Sequence, residues 1–359
     1  MLYDLKADPR LSLSPYSLKI PNTTNMVSLE TVQNSNSAIK EYGPNMVAVF
    51  VGGTSGIGES TARAFVKYAV SPRVYLIGRS EARASQIIED LRALNPDGQI
   101  SFIKGDVSRL QEVDQTCKEI QAKEDKINLL VLSAGILSTK GRDETDEGLD
   151  KKFSLHYYSR MRFLYNLLPQ LTNAAQGAAS GQRSLSSVLS VLDARGNAPL
   201  VMNDLSLKDN YSLRNCANHA ITMTSLSMEE LASSHPSISF VHAYPGIVNT
   251  SLMRDNGFLI KTALSALFLL FSPLTIGLEE SGERHIYAGT NPGFAPRGSK
   301  GGNDTATGSD GVQGSGSYLV GSDSATVSNQ KVLEGYRADG TRASVWKHTL
   351  DIFKGIRGA

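Results

Sequence analysis

The stretch from Met46 to Gly58, MVAVFVGGTSGIG, decides the fold that we predict for this chain. Its apolar run ends in glycines, and a helical pattern follows from Ile57 to Ala69, which predicts a buried strand, a tight turn and a helix. Because glycine lets the backbone turn sharply and approach a ligand closely, such a turn can bind a pyrophosphate at the helix N-terminus. The alternative is an ordinary tight turn, which the strand–turn–helix context disfavours.

The same alternation of strands and helices continues along the chain. Further strands are predicted at 73–77, 100–103, 127–132, 187–192 and 238–243, and helices near 81–94, 108–122, 146–171 and 211–233. Apolar strands that alternate with helices imply a parallel sheet covered on both faces. Since crossover connections are right-handed, we expect one α/β domain with a doubly wound parallel sheet of the Rossmann type.

Two segments flank this rhythm. Residues 1–25 mix charges and prolines without an apolar run, so we expect a loose N-terminal arm and no secretory signal, followed by one domain over 26–359. After Thr250 the rhythm breaks, and we expect a C-terminal extension that covers the substrate. Within it, the Gly/Ser-rich residues 296–317 are predicted to form a mobile surface loop, because such a composition buries little apolar surface.

The extension begins with an unusually apolar segment, FLIKTALSALFLLF at 258–271. It is too short to cross a bilayer, which takes about 20 apolar residues. A buried or substrate-covering helix is therefore favoured over a peripheral membrane contact. Later in the extension we predict helices at 279–287 and 343–356 and an edge strand at 318–320.

Composition narrows the class of protein. The chain has 359 residues, of which 40% are hydrophobic and 20% charged, so a full-sized core is available. A net charge of +1 gives no reason to expect a nucleic-acid partner. Two cysteines argue against a disulfide scaffold and fit a reducing, cytoplasmic setting. The histidines show no metal-ligand spacing, so we expect no metal site.

The second predicted strand ends at Gly78-Arg79-Ser80, where an NAD-preferring site usually carries a carboxylate for the ribose 2′-hydroxyl. This chain has none there. Arg79 offers a fork of donors matched to a phosphate and Ser80 a hydroxyl, so NADP(H) is favoured as the cofactor. The alternative is that Arg79 is only a solvated surface charge.

With these motifs, the chain resembles the short-chain dehydrogenase/reductase family from about residue 46 to 290. The glycine turn matches that family's Gly-x-x-x-Gly-x-Gly, and Pro245 to Thr250 matches its Pro-Gly-x-Val-x-Thr. Ser133-Ala134-Gly135 resembles its Asn-Asn-Ala-Gly with both asparagines absent. The resemblance implies cofactor contacts from Gly52, Thr54, Ser55, Gly56, Ile57, Gly58, Arg79, Ser80, Asp106, Val107, Ser133, Ala134, Gly135, Tyr211, Asn215, Pro245, Gly246, Val248 and Thr250.

The resemblance also implies a catalytic tetrad, and here the chain departs from the family pattern. Tyr211 stands at the tyrosine position, but Asn215 replaces the lysine four residues later. Asp193 replaces the serine of the fifth strand, and His156 replaces the asparagine of the fourth helix. We expect Tyr211 and Asn215 to share one helix face, and Asp193 to lie close enough to His156 to stabilise its imidazolium.

Three functional interpretations stay open at this point. An Asp/His/Tyr cluster suits carbonyl reduction by a modified acid–base mechanism, or non-redox chemistry such as isomerisation, dehydration or cyclisation on a retained cofactor fold. Alternatively, the three side chains are structural and the protein is a binding scaffold. Similarity to reductase-like proteins of fungal secondary metabolism suggests a bulky, apolar small-molecule substrate. The family often dimerises through its fourth and fifth helices, so we also consider a homodimer.

Overall fold

The computed structural model describes residues 26–176, 183–248, 275–299, 304–327 and 330–357. The arm at 1–25, the apolar segment 258–271 and Thr250 lie outside the described residues. Within the described ranges, every helix is too short or too polar to span a membrane.

A parallel sheet of seven strands forms the centre of the molecule, in the order β3-β2-β1-β4-β5-β6-β9. The order reverses between β1 and β4, which is the doubly wound topology predicted from the sequence. Two short strands, β7 and β8, pair separately and were not predicted. The strands span Val47–Val51 (β1), Arg73–Gly78 (β2), Gln99–Lys104 (β3), Leu129–Leu132 (β4), Ser187–Val191 (β5), Ser239–Ala243 (β6), Ile247–Val248 (β7), Thr275–Ile276 (β8) and Ser317–Val320 (β9).

Helices cover both faces of the sheet, and every residue of the central strands β1, β4 and β5 is therefore buried. One apolar core lies beneath α2, α3 and α8, and the other beneath α4, α6, α7 and α10. The helices span Leu29–Ser37 (α1), Gly56–Tyr68 (α2), Glu81–Leu94 (α3), Leu110–Gln121 (α4), Lys151–Phe153 (α5), Ser159–Gln176 (α6), Leu213–Ser234 (α7), Leu278–Thr290 (α8), Lys331–Ala338 (α9) and Thr341–Arg357 (α10). A 3-10 turn at Ala38–Tyr42 follows α1, and a π-helical stretch at Ser154–Tyr158 joins α5 to α6.

The C-terminal extension packs onto the sheet and onto the helices of one face. Strand β9 pairs with β6 in parallel, which confirms the predicted edge strand. Helix α10 covers α7 and the π-helical stretch before α6. The Thr349 hydroxyl forms a hydrogen bond with the Tyr157 hydroxyl, and the Tyr158 hydroxyl lies 3.0 Å from Nε2 of His348. The rings of Trp346 and Phe353 pack against the ring of Tyr165.

The Gly/Ser-rich stretch 296–317 is described except for residues 300–303. Its later part is anchored, since Ser309 and Ser315 are buried and the Gly316 carbonyl accepts a hydrogen bond from the Phe240 amide. The mobility expected of this stretch stays a prediction.

Candidate cofactor and active site

The glycine turn after β1 brings three backbone segments into contact. Gly52 has φ +87°, and a Cβ added there would lie 2.7 Å from the Ala134 nitrogen. A Cβ on Gly58 would lie 2.4 Å from the Gly52 carbonyl oxygen. Larger residues at either position would push β1, α2 and the residues after β4 apart, so the glycines are needed for this close approach.

The turn delivers the chain into the N-terminus of α2. Ser55 is the N-cap residue, but its side chain accepts no capping hydrogen bond from the first turn. The first amide N–H groups of a helix lack intrahelical partners and carry partial positive charge. An uncapped helix start at the end of a glycine turn is therefore suited to bind phosphate oxygens.

A cleft runs from this turn along the carboxyl ends of β1 to β4, where ligands bind in open α/β sheets. Thirteen of the predicted cofactor residues line it: Gly52, Thr54, Ser55, Gly56, Ile57, Gly58, Arg79, Ser80, Asp106, Val107, Ser133, Ala134 and Gly135. Their convergence fits an extended dinucleotide. The predicted contacts themselves stay a proposal.

At one end of the cleft, two arginines stand together. Arg79 and Arg83 both line it, and both are exposed. In the described part of the chain, neither guanidinium forms an ion pair. Ser80 caps α3, since its Oγ accepts a hydrogen bond from the Arg83 amide at 3.4 Å. Arg83 was not predicted from the sequence, although a second basic residue four positions after Arg79 was a usable signal.

Tyr211 and Asn215 do not share a helix face, which corrects the expectation from their spacing. Helix α7 begins at Leu213, and Ser212 is its N-cap residue, so Tyr211 precedes the helix. The Ser212 hydroxyl accepts from the Asn215 amide at 3.0 Å, and the Asn215 side chain donates to the Asn210 carbonyl at 2.8 Å. Asn215 therefore secures the start of α7 and lies outside the lining of the cleft.

The Tyr211 hydroxyl contacts a carboxylate that was not predicted from the sequence. It donates to Oδ1 of Asp150 at 3.3 Å, and the Lys152 ammonium lies 5.7 Å from the centroid of the Tyr211 ring. Burial, with help from Cys216 and Asp150, raises the pKa of Tyr211 above its ordinary value. The phenol is therefore protonated across the physiological range.

Asp193 and His156 do not form the predicted acid–base pair. The Asp193 carboxylate accepts from the Arg195 amide at 3.1 Å and lies 3.6 Å from the Arg195 guanidinium. In the described structure no hydrogen bond or ion pair joins it to His156. Nε2 of His156 instead accepts from the Ile136 amide at 3.2 Å.

The charge on His156 also differs from the expectation. Burial, and then the nearby cations Arg160 and Lys152, lower the pKa of His156 to about 3. The imidazole is therefore neutral, and the predicted imidazolium is wrong for this environment. A neutral ring that accepts at Nε2 carries its proton on Nδ1.

The residues expected to contact the nicotinamide, Pro245 to Thr250, follow strand β6. Pro245 lines a small cavity beside His285, separate from the cleft of the glycine turn. Gly246 has φ +76°, and a Cβ there would lie 2.9 Å from Cδ1 of Ile276. Val248 is buried at the end of β7. With Thr250 outside the described residues, the predicted grip on the carboxamide stays a prediction.

Comparison with known proteins gives a consistent family. Residues 46–181 match the model of the short chain dehydrogenase family. An oxidoreductase of Emericella nidulans is 42% identical over 334 residues, covering 90% of this chain and 97% of the relative. The short-chain dehydrogenase/reductase SAT2 of Stachybotrys chartarum is 29% identical over 358 residues, covering 90% and 96%.

Solved structures agree in fold. The NADPH-bound carbonyl reductase from chicken fatty liver superposes with a TM-score of 0.53 at 16% identity, covering 80% of this chain and all of that chain. A short-chain dehydrogenase/reductase of Mycobacterium marinum superposes with a TM-score of 0.52 at 16% identity, covering 72% and 93%. With relatives matched over nearly their whole length and the cleft of a nicotinamide-binding fold, the chain belongs to the short-chain dehydrogenase/reductase family and is an oxidoreductase.

Proposed function

We propose that this protein is an NADPH-dependent reductase of a carbonyl group on a bulky, apolar small molecule. The observation that carries the proposal is the pair Arg79 and Arg83 at the β2 end of the cleft, where the lining residues that directly follow β2 are Arg79, Ser80 and Arg83 and include no carboxylate. Guanidinium groups match a phosphate in charge and geometry, whereas a carboxylate would repel it. This end of the cleft therefore suits the 2′-phosphate that distinguishes NADPH from NADH.

The residues around the cofactor would each have a distinct task. The free amides at the start of α2 would hold the pyrophosphate, and Ala134 and Gly135 would border the nicotinamide half. When bound, NADPH supplies the hydride. The chain itself must then deliver a proton to the substrate oxygen.

We assign the proton to Tyr211. Its pKa is raised, so the phenol holds its proton at neutral pH and is a poor base. The protonated phenol is the state that reduction needs, whereas the reverse oxidation would first need Tyr211 to lose its proton. Asp193, at the position of the family's serine, is paired with Arg195 and would act by orienting the substrate.

Exposed apolar side chains support an apolar substrate. Leu137 is 49% exposed directly after Ile136 of the cleft, and Leu213 is 41% exposed two residues after Tyr211. Met202, between β5 and α7, is 43% exposed. All three follow the carboxyl ends of β4 or β5, where a substrate would lie. The named fungal relatives are oxidoreductases, which fits this class of reaction.

A stopped-flow experiment tests the proposal. The protein is loaded with NADPH and mixed with a panel of bulky ketones and aldehydes, while absorbance at the dihydronicotinamide band is followed. Decay of the band together with alcohol product is expected for at least one member of the panel. Product formation with the band intact would instead establish the non-redox alternative, an isomerase, dehydratase or cyclase that retains the cofactor.

A further inference from the structure

A buried arginine lies beneath the cleft and takes no part in the chemistry above. Arg160, in α6, is only 2% exposed. Its Nη2 donates to the Ala134 carbonyl at 2.9 Å, and its Nη1 donates to the Val191 carbonyl at 2.8 Å. Nη1 also donates to the Ser190 hydroxyl at 2.9 Å, and Nε to the Leu155 carbonyl at 3.2 Å. One guanidinium thus joins the chain segments that leave β4 and β5.

This arginine is unusual because neutral groups alone surround it. Each of its four hydrogen-bond acceptors is a carbonyl or a hydroxyl, and in the described ranges no carboxylate lies within ion-pair distance. Buried charges are normally paired, since leaving water is costly. Arg162, two residues later and also buried, follows that rule by pairing with Asp114. An unpaired buried arginine is expected where its fixed geometry or its positive charge has a use.

His156 reaches the same loop one turn earlier in the helix, within the π-helical stretch. Its Nε2 accepts from the Ile136 amide, two residues after the carbonyl that Arg160 binds. A Cβ on Gly135, between them, would lie 2.8 Å from Nε2 of His156 and 4.0 Å from Nη2 of Arg160. The loop of residues 134–136 is therefore held on both sides, and only glycine fits at its centre.

We propose that Arg160 and His156 form a clamp that positions the loop of residues 134–136 for cofactor binding. Ala134, Gly135 and Ile136 all line the cleft, so the clamp acts on the cofactor through this loop. The chain lacks asparagines in the loop and at position 156, and the clamp supplies backbone contacts from the helix instead. The inference rests on the proposed binding of NADPH. It makes both side chains positioning residues and removes His156 from proton transfer.

The guanidinium contributes charge as well as geometry. Burial first, and then the Arg160 cation, lowers the pKa values of both His156 and His242, so the guanidinium is the charge that these two buried rings have in common. With no carboxylate to cancel it, the positive potential of the guanidinium favours the negative dinucleotide.

The test compares matched variants by NADPH fluorescence titration and thermal unfolding. Arg160→Lys keeps the charge but has only three N–H donors for the four diverging acceptors, so NADPH should bind about tenfold more weakly or worse. Arg162→Lys alters the neighbouring buried arginine that contacts Asp114, and its NADPH affinity should stay within about threefold of the wild type. Ser190→Ala removes a single acceptor of Arg160 and should have a smaller effect in the same direction.

His156 allows a second comparison that separates positioning from proton transfer. The amide oxygen of His156→Gln can accept from the Ile136 amide but cannot act as a titrating base. His156→Gln should therefore retain most of the NADPH affinity that His156→Leu loses. Equal NADPH affinities of Arg160→Lys and the wild type, or equal losses in Arg160→Lys and Arg162→Lys, would overturn the clamp. A wild-type protein that fails to bind NADPH would instead overturn the proposed function.

Discussion

Two pairs of cations illustrate how individual residues divide the work in this protein. Arg79 and Arg83 are exposed at the β2 end of the cleft, free to meet an anionic ligand. Arg160 is buried and holds backbone carbonyls, while Lys152 donates to the Lys140 carbonyl at 2.8 Å beside Tyr211. In the proposals above, cations at the surface would recognise the ligand and cations in the interior would position the backbone.

The exposed pair leads to a prediction on cofactor choice. Arg79→Ala and Arg83→Ala should each weaken NADPH binding by about 1–3 kcal/mol and leave NADH binding nearly unchanged, because each removes a charge-assisted contact to the 2′-phosphate. Isothermal titration with both cofactors measures this. Arg92→Ala is the control, since Arg92 lies on the same helix but donates to the Ile100 carbonyl. Equal affinity of the native protein for NADPH and NADH would contradict the assignment.

A second prediction concerns the proton donor. Tyr211→Phe should lower kcat for reduction by about 10²-fold or more, whereas Asp193→Asn should cost less than about tenfold, because Asp193 contacts Arg195 and not His156. Asn215→Lys should bring no gain, since Asn215 secures the loop before α7. Steady-state kinetics at saturating NADPH give the comparison. A larger loss in Asp193→Asn than in Tyr211→Phe would reassign the proton to the aspartate.

At the scale of elements, α7 has the longest uninterrupted run of buried residues among the described helices. Every residue from His219 to Glu229 is buried, because α7 lies between the sheet and α10. The hydroxyl of Ser227 bonds that of Tyr157 at 2.8 Å, which ties α7 to the preceding helix. A homodimer through the helices after β4 and β5 would need surface that α10 already covers.

Removing α10 should therefore destabilise the protein and change its assembly. A chain ending at Asp339 would expose the apolar side chains that pack against Val345 and Phe353. We expect the melting temperature to fall by at least about 5 °C, and we expect the shortened chain to form dimers or aggregates. Differential scanning calorimetry and light scattering measure both effects in the full-length and shortened chains. An unchanged melting temperature and a monomeric shortened chain would show that α10 contributes little.

At the scale of the whole molecule, the six histidines all make the stability of the fold depend on pH in the same direction. The pKa values of His156, His219, His235, His242, His285 and His348 are all lowered by burial. The folded state therefore binds fewer protons than the unfolded state below the ordinary histidine pKa of about 6.5. Stability from these groups is complete above that pH and is lost as the pH falls.

The loss should be measurable at pH 5. Burial lowers the pKa of His242 to about 3 and that of His285 to about 4, and Nε2 of each ring lacks a hydrogen-bond partner. Each of the two should cost about 2 kcal/mol of unfolding free energy between pH 7 and pH 5. Urea titrations at both pH values give the difference. His285→Gln should reduce that difference by about 2 kcal/mol, and an undiminished difference would remove His285 from the explanation.

The sequence by itself determined the sheet, its doubly wound order and the glycine turn between β1 and α2. Those features follow from local signals: apolar runs, glycines where only glycine fits, and helical periodicity. Thirteen predicted cofactor residues met in one cleft for the same reason, since the carboxyl ends of parallel strands lie at one edge of the sheet. Arg79 was found because it directly follows a strand.

Only the tertiary structure decided the state of the side chains at the predicted centre. Spacing placed Tyr211 on the helix of Asn215, but Ser212 caps that helix and leaves Tyr211 outside it. No local signal linked Tyr211 to Asp150, which lies 61 residues earlier. The neutral charge of His156 likewise depends on burial and on Arg160, because a pKa responds to everything packed around the group and not to its neighbours in the chain.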